Sequence, residues 1–286
     1  MKRIGFFIFV MPSLLILSVS SEAQVLEPIP LSNHGSFTGD QTGKRAVPYA
    51  HIREADMMWA KRIWHIIDFR QKINQMYFYP LMPNNDRMNL ITILRKGIED
   101  RLLTPYDPAM GDDLLHTMST EQALSIGVFA DTVMIPDAHP PYTERPILIK
   151  EDFDPFHVKQ IKVKEDWVFD RNRGVMEVRI LAICPVIEIY DRNTGDLRGL
   201  QDMFWLNFEE ARNLLATYKL YNPYNFAQRM SYDDAFRKRF FISTVYKEDN
   251  THDRFIKDYL SSTDALHEAE AIKNKMMEFE HSLWEY

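Results

Sequence analysis

An apolar run at the N-terminus decides in which compartment this chain has to fold. Lys2 and Arg3 make a short positive start, and residues 4–19 are apolar apart from Gly5, Pro12, Ser13 and Ser18. Ser21-Glu22-Ala23-Gln24 follows, with small residues at the two positions a signal peptidase reads. Charged start, apolar middle and small-x-small end are the parts of a secretory signal peptide, with cleavage expected between Ala23 and Gln24. A run of about 16 residues is marginal for spanning a bilayer core of about 30 Å, and Pro12 weakens it further. A lipid anchor would need a cysteine directly after the run, and the chain's single cysteine is Cys184. No later stretch approaches 18 continuous apolar residues, so direct membrane insertion of the mature chain is not expected.

An exported chain meets an oxidising compartment, where disulfides persist. One cysteine cannot form an internal disulfide, so stability has to come from the core. Hydrophobic residues make up 45% of the 286 and aromatics 13%, enough for one or two domains. The net charge is −7, and losing Lys2, Arg3 and Glu22 with the signal moves it to −8. Nucleic acid is thereby disfavoured, because its binding rests on phosphate neutralisation. The aromatic content leans toward interfaces, where Trp and Tyr are enriched.

Residues 24–47 carry Pro28, Pro30, Gly35, Gly39 and Gly43 without periodicity and read as a tether. Over residues 49–76, Ile52, Ala55, Trp59, Ile63, Ile66 and Ile73 fall on one stripe of a helical wheel, which predicts a helix. Met57 and Trp64 lie at its flank, covered either by the same chain or by a partner. A second helix is predicted over 86–103, capped by Asn85, with Met88, Ile91, Leu94, Ile98 and Leu102 inward. Ser119-x-x-Gln122 is a capping box. Pro136, Pro140, Pro141 and Pro146 mark 136–146 as an internal linker.

Strands are predicted at 160–169, 175–190 and 200–206, joined by turns at 170–174 and 191–196, in an antiparallel meander. Pro185 is expected to break the middle strand or hold it at an edge. Helices return at 208–219 and 231–247, the second capped by Ser231 with Asp233 and Asp234 in its first turn. In the last helix, 264–286, Ala265, Ala269, Ile272, Met276, Phe279, Leu283 and Tyr286 recur at steps of four and three. That spacing is a heptad seam, able to dock on its own domain or on another chain. The fold class expected is α+β: a mainly helical region at 48–135, an α+β region with the meander at 147–250, and a long C-terminal helix within 251–286.

The chain shows no Walker sequence, dinucleotide fingerprint, G-x-S-x-G or H-E-x-x-H. His51 with Glu54 and His65 with Asp68 are the best metal half-sites. On one helix they would stand roughly 21 Å apart along the axis, too far for a shared ion. Asp107, Asp112 and Asp113 lack the spacing of a calcium loop. Cys184 lies in an apolar strand, a setting that makes a thiol inert. Arg237-Lys238-Arg239 reads as the polar face of an amphipathic helix. No catalytic residue, cofactor or metal is assigned. The candidate interface residues are Met57, Trp64, Ala269, Ile272, Met276, Phe279, Leu283 and Tyr286.

Four stretches carry a resemblance. They are Pro48-Tyr49 through Arg53-Glu54-Ala55-Asp56-Met57-Met58-Trp59 to Ile63-Trp64; Glu165-Asp166-Trp167-Val168-Phe169-Asp170; Phe204-Trp205 with Phe208-Glu209-Glu210-Ala211-Arg212; and Tyr232-Asp233-Asp234-x-Phe236 through Tyr246 to Asn250. Over about residues 48–250 the chain resembles the gliding-motility GldN/PorN family. The resemblance implies a periplasmic component of the type IX secretion system, associated with the outer membrane through a GldK/PorK-type lipoprotein. It also implies self-assembly in a ring and contact with the periplasmic part of a GldM/PorM-type motor protein. The family offers no catalytic residues to carry over. Two other readings remain open: a periplasmic enzyme with an unfamiliar site, and a module that stacks exposed aromatics on peptidoglycan or other carbohydrate.

Overall fold

The computed structural model describes residues 45–84, 87–136, 144–191, 194–222 and 230–283, with side chains described outside the strands at 129–136 and 144–151. In chain order the elements are β1 (Met57–Asp68), α1 (Gln75–Phe78), α2 (Leu90–Glu99), β2 (Pro105–Tyr106) and α3 (Thr120–Ser125). Then come β3 (Phe129–Pro136), β4 (Glu144–Glu151), β5 (Val158–Asp170), β6 (Val175–Tyr190), β7 (Leu197–Asp202) and β8 (Trp205–Asn207). The C-terminal part holds α4 (Phe208–Thr217), β9 (Lys219–Leu220), β10 (Met230–Ser231), α5 (Tyr232–Arg237), β11 (Thr244–Glu248) and α6 (Ser262–Ser282). The fold is α+β, built on a seven-stranded antiparallel sheet in the order β11-β1-β5-β6-β8-β2, with β7 also paired to β6. β3 with β4, and β9 with β10, form separate two-stranded sheets.

The predicted helix at 49–76 is wrong: its centre is the twelve-residue strand β1, paired with β5 from Met57↔Asp170 to Asp68↔Gln160. β1 is covered on both faces, so it lacks the simple alternation that marks a one-sided strand. Ile63, His65 and Ile67 face one way. Trp64 faces the other, among Ala182, Cys184 and Trp205. The predicted helix at 231–247 is also too long. It stops at Arg237, Arg239 takes a left-handed φ of 52°, and the chain re-enters the sheet as β11. Asn74 pins the crossing, its Oδ1 accepting from Ile242 N–H at 2.9 Å and its Nδ2 donating to Ile242 carbonyl at 2.8 Å.

The meander follows the expected strands with two differences. Residues 200–206 are not one strand but the end of β7 and most of β8, with Met203 and Phe204 between them. Pro185 neither breaks β6 nor holds it at an edge, since β6 pairs with β5 on one side and with β8 and β7 on the other. The Pro185 carbonyl accepts from Met203 N–H at 2.9 Å, on the side where β6 changes partner from β8 (Ala182, Ile183) to β7 (from Val186). A residue's N–H and C=O point the same way in an antiparallel strand. The missing donor therefore faces that change-over, and no ladder bond to β5 is lost.

The main core lies on the Ile67 face, where α2, α4 and α5 pack Ile91, Leu94, Phe208, Leu215 and Phe236 against Val163, Ile183 and Leu206. α2 starts later than predicted. Its cap is Asn89, accepting from Thr92 N–H at 2.7 Å, while Asn85 lies outside the described residues. Leu102 falls beyond the helix and is 60% exposed. The capping boxes at Ser119/Gln122 and Ser231/Asp234 both form.

Candidate functional site

Arg212 organises the N-terminal edge of the described chain. It lies on the inner face of α4, 1% exposed, and its Nε donates to Asp233 Oδ1 at 2.9 Å. Asp233 is itself buried in the first turn of α5. Nη1 of Arg212 donates to Glu209 Oε2 at 3.2 Å, and Nη2 to the carbonyl of Val47. Burial alone would lower the Arg212 pKa, but the Asp233 carboxylate together with Tyr49 and Glu209 outweighs it and the guanidinium is held more firmly charged. The Tyr49 ring lies 4.2 Å from that guanidinium, and burial raises its hydroxyl pKa. Arg179, on the other side, donates to the Ala50 carbonyl. Residues 47–50 are thus clamped by two arginines from different elements.

Open hollows lie on both sides of Tyr49. One, of about 540 Å³, is bounded by Trp167, Arg173, Met176, Arg239 and Glu280. The other, of about 420 Å³, is bounded by Arg62, Asp113, Lys164, Arg179 and Glu209. Most of their charges are matched within the chain. Arg62 grips Asp166 with two bonds of 2.6 and 2.9 Å, and Arg173 Nε donates to Asp170 Oδ2 at 2.6 Å.

A buried polar cluster sits between α5 and the sheet. Glu165 on β5 is fully buried and is bonded to His65 Nε2. Arg239 Nη1 reaches both Glu165 oxygens, at 2.8 and 2.6 Å. Burial would raise the Glu165 pKa, yet His65 and then Arg239 override it and bring it down to about 2. The ring of Phe241 stacks on His65 with centroids 5.8 Å apart. The prediction that Arg239 lies on a polar outer face is therefore corrected: the left-handed turn after α5 swings it onto Glu165. His65 likewise belongs with Glu165 and not with Asp68, whose carboxylate is held by Arg70 at 2.7 Å. Helix geometry is also the wrong ground for separating His51 from His65, because the intervening chain is largely β1; His51 is exposed before that strand.

On the opposite sheet face Trp64 is 5% exposed. Its Nε1–H donates to Asp112, whose main-chain carbonyl accepts from Lys164 Nζ at 2.9 Å. Lys247 Nζ stands 4.5 Å from the indole centroid and Lys164 Nζ 5.6 Å. Asp112, one of three aspartates whose spacing fits no calcium loop, is the pin that holds residues 107–118 over this face. Cys184 is fully buried beside it, and burial pushes its thiol pKa far up.

The predicted interface residues separate. Trp64 is covered by its own chain, and only Met57, 44% exposed, stays on the surface. The C-terminal seam lies on its own sheet: Ala269, Ile272 and Met276 are buried with Ile63 and Ile256, and Phe279 packs on Trp59 with centroids 4.6 Å apart. Leu283, just past α6, is half-buried. Tyr286 lies outside the described residues, as do Ala23 and Gln24 at the expected cleavage site.

The segments that carried the resemblance meet in space. Tyr49, Arg212 and Asp233 form one contact, and Arg62 with Asp166 another. A family model described as "Gliding motility associated protein GldN" matches residues 52–285, most of the chain. The chain belongs to the GldN family. No curated protein matches it. The family match extends past residue 250 to take in α6, which the resemblance did not cover. Arg212 and Glu165 are the residues that sequence reasoning left without a role. A charged residue on the apolar stripe of a predicted helix, and a carboxylate in a strand at the inward phase, were the available signals.

Chemically, the site holds the chain together. Its buried charged groups are bonded to one another. Among the described residues no three His, Cys, Asp or Glu side chains stand together as a metal site. No helix among them is long and apolar enough to cross a membrane.

Proposed function

We propose that this GldN-family chain is a non-enzymatic periplasmic subunit of the type IX secretion and gliding-motility machinery. In this reading it is exported by its signal peptide and associates with the outer membrane through a GldK/PorK-type lipoprotein. There it assembles into a ring and meets the periplasmic part of a GldM/PorM-type motor. The observation that carries the reading is the family match over residues 52–285, which spans the sheet, its helices and α6. The geometry supports it through the internally matched charges around Tyr49 and Glu165, which suit a scaffold better than a reaction centre. The carbohydrate alternative draws little support. The exposed rings of Tyr79 and Phe156 pack at 81° and 52° on the buried Phe78, and that of Tyr190 at 58° on His157, so all three are engaged by their own chain.

The test is deletion of the gene with complementation. Loss of both gliding and secretion of type IX cargo, restored by the wild-type chain and by His51→Ala, is expected. Normal secretion in the deletion strain would refute the reading.

A further inference from the structure

Two strand edges are left unpaired among the described residues. The first is the outer edge of β1. β5 pairs with β1 along its length, but on the other side β11 covers only Ile63 to Ile66. The Arg62 carbonyl accepts from Asp249 N–H at 3.0 Å, which shows that the polar groups of Arg62 point outward. By the two-residue period of a strand, so do those of Ala60. Among the described residues no strand pairs with that side of residues 57–61. This edge is also unguarded. Met57 and Met58 are 44% and 68% exposed, and the one charge, Lys61, is bonded to Glu248 at 2.6 Å. Edges left alone in water normally carry free charges, proline or a cover.

The second belongs to the β3–β4 hairpin. Its strands pair with each other, in register from Phe129↔Glu151 to Pro136↔Glu144, and not with the main sheet. A lone two-stranded hairpin is marginal in water. Its two strands differ in sequence. β4 contains Glu144, Arg145, Lys150 and Glu151, and Pro146 removes a donor. β3 has one charge, Asp131, and its proline stands only at the last position. β3 therefore has the composition of a strand that pairs on both sides.

We infer that β3 of one copy adds to the open edge of β1 in a second copy, so that neighbouring copies share a continuous sheet. The inference rests on the assembly reading above and names its contact surface. The occupant is a second copy because each chain carries both an open edge on β1 and, in β3, a strand that is paired with β4 alone and has the composition to pair on its other side. Each copy would donate β3 and accept on β1, using two different surfaces. Such a contact is heterologous and repeats from copy to copy, closing into a ring or extending as a filament.

The test uses the full mature chain. A photo-crosslinking residue at Met58 in cells should give an adduct of two copies, lost when Val133→Lys places a charge in β3. In purified protein, Ala60→Pro removes an outward N–H without touching the β5 ladder. It should weaken self-association at least tenfold with the melting temperature unchanged. If that variant fails to fold, Met58→Lys at an exposed position is expected to do the same. An adduct with a different protein, or self-association unaffected by these variants, would overturn the inference and leave the assembly reading standing. A wild-type chain that stays single both in cells and in solution would overturn both.

Discussion

Replacing Ile272 by Ala asks whether the heptad seam of α6 belongs to its own sheet. Ile272 is 1% exposed and Met276 3%, packed with Ile63, Ile256 and the rings of Trp59 and Trp167. Burying a side chain of this size contributes about 1.5–3 kcal/mol, so the two supply roughly 3–6 kcal/mol of docking before the helix's ordering entropy is counted. A buried Ile→Ala change costs about 2–5 kcal/mol, comparable with the whole gain. The helix should then leave the sheet before the main core melts, because its contacts form a cluster separate from that core. Limited trypsin digestion reads this directly at Lys273 and Lys275. Ile272→Ala should be cut there at least tenfold faster than wild type, with β1 and β5 still protected. Leu266→Ala, at a position 60% exposed on the same helix, should be cut at the wild-type rate. Equal protection of wild type and Ile272→Ala would put the seam's energetic partner elsewhere.

Three further outcomes are expected. Glu165 has its folded pKa lowered from an ordinary 4.5 to about 2, so its contribution to stability is complete above 4.5 and is lost as pH falls toward 2. Glu165→Gln should remove that acid-side slope in melting experiments and, by weakening the bonds to His65 and the half-buried Arg239, cost about 1–3 kcal/mol at neutral pH. Trp64→Ala should cost about 3–5 kcal/mol and loosen residues 107–118 to proteolysis, whereas Trp59→Ala should cost less and chiefly free α6; equal losses in both would contradict the two-faced packing of β1. N-terminal sequencing of the exported protein should begin at Gln24, and recovery of an intact Met1 in the membrane fraction would contradict the cleavage site.

The parts of the fold legible in the sequence were those whose determinants are local. The meander showed through its β-branched runs and through turns such as Asp170-Arg171-Asn172-Arg173-Gly174, where Gly174 takes the left-handed φ of 65°. The caps at Ser119 and Ser231 were readable because a capping box is complete within four residues. β1 was misread because its stripe meets a helical period by coincidence. With Ile63 buried on one face and Trp64 on the other, neither period is clean, and only its content of Ile and Trp favoured a strand. The end of α5 was missed because Asn74, far away in sequence, fixes the chain at Ile242. The charged clusters escaped for the same reason. Arg212 with Asp233, and Glu165 with Arg239, are separated by 21 and 74 residues and are brought together only by the fold.

On the function proposed above, this chain works as an assembled subunit beneath the outer membrane. Affinity purification of the tagged chain from envelope extracts in mild detergent, with the partners identified by mass spectrometry, tests it most directly. The expected result is a large complex holding several copies of the chain, a GldK/PorK-type lipoprotein and a GldM/PorM-type motor protein, recovered from the outer-membrane fraction. A chain recovered alone as a monomer from the soluble fraction, in cells that glide and secrete normally, would contradict it.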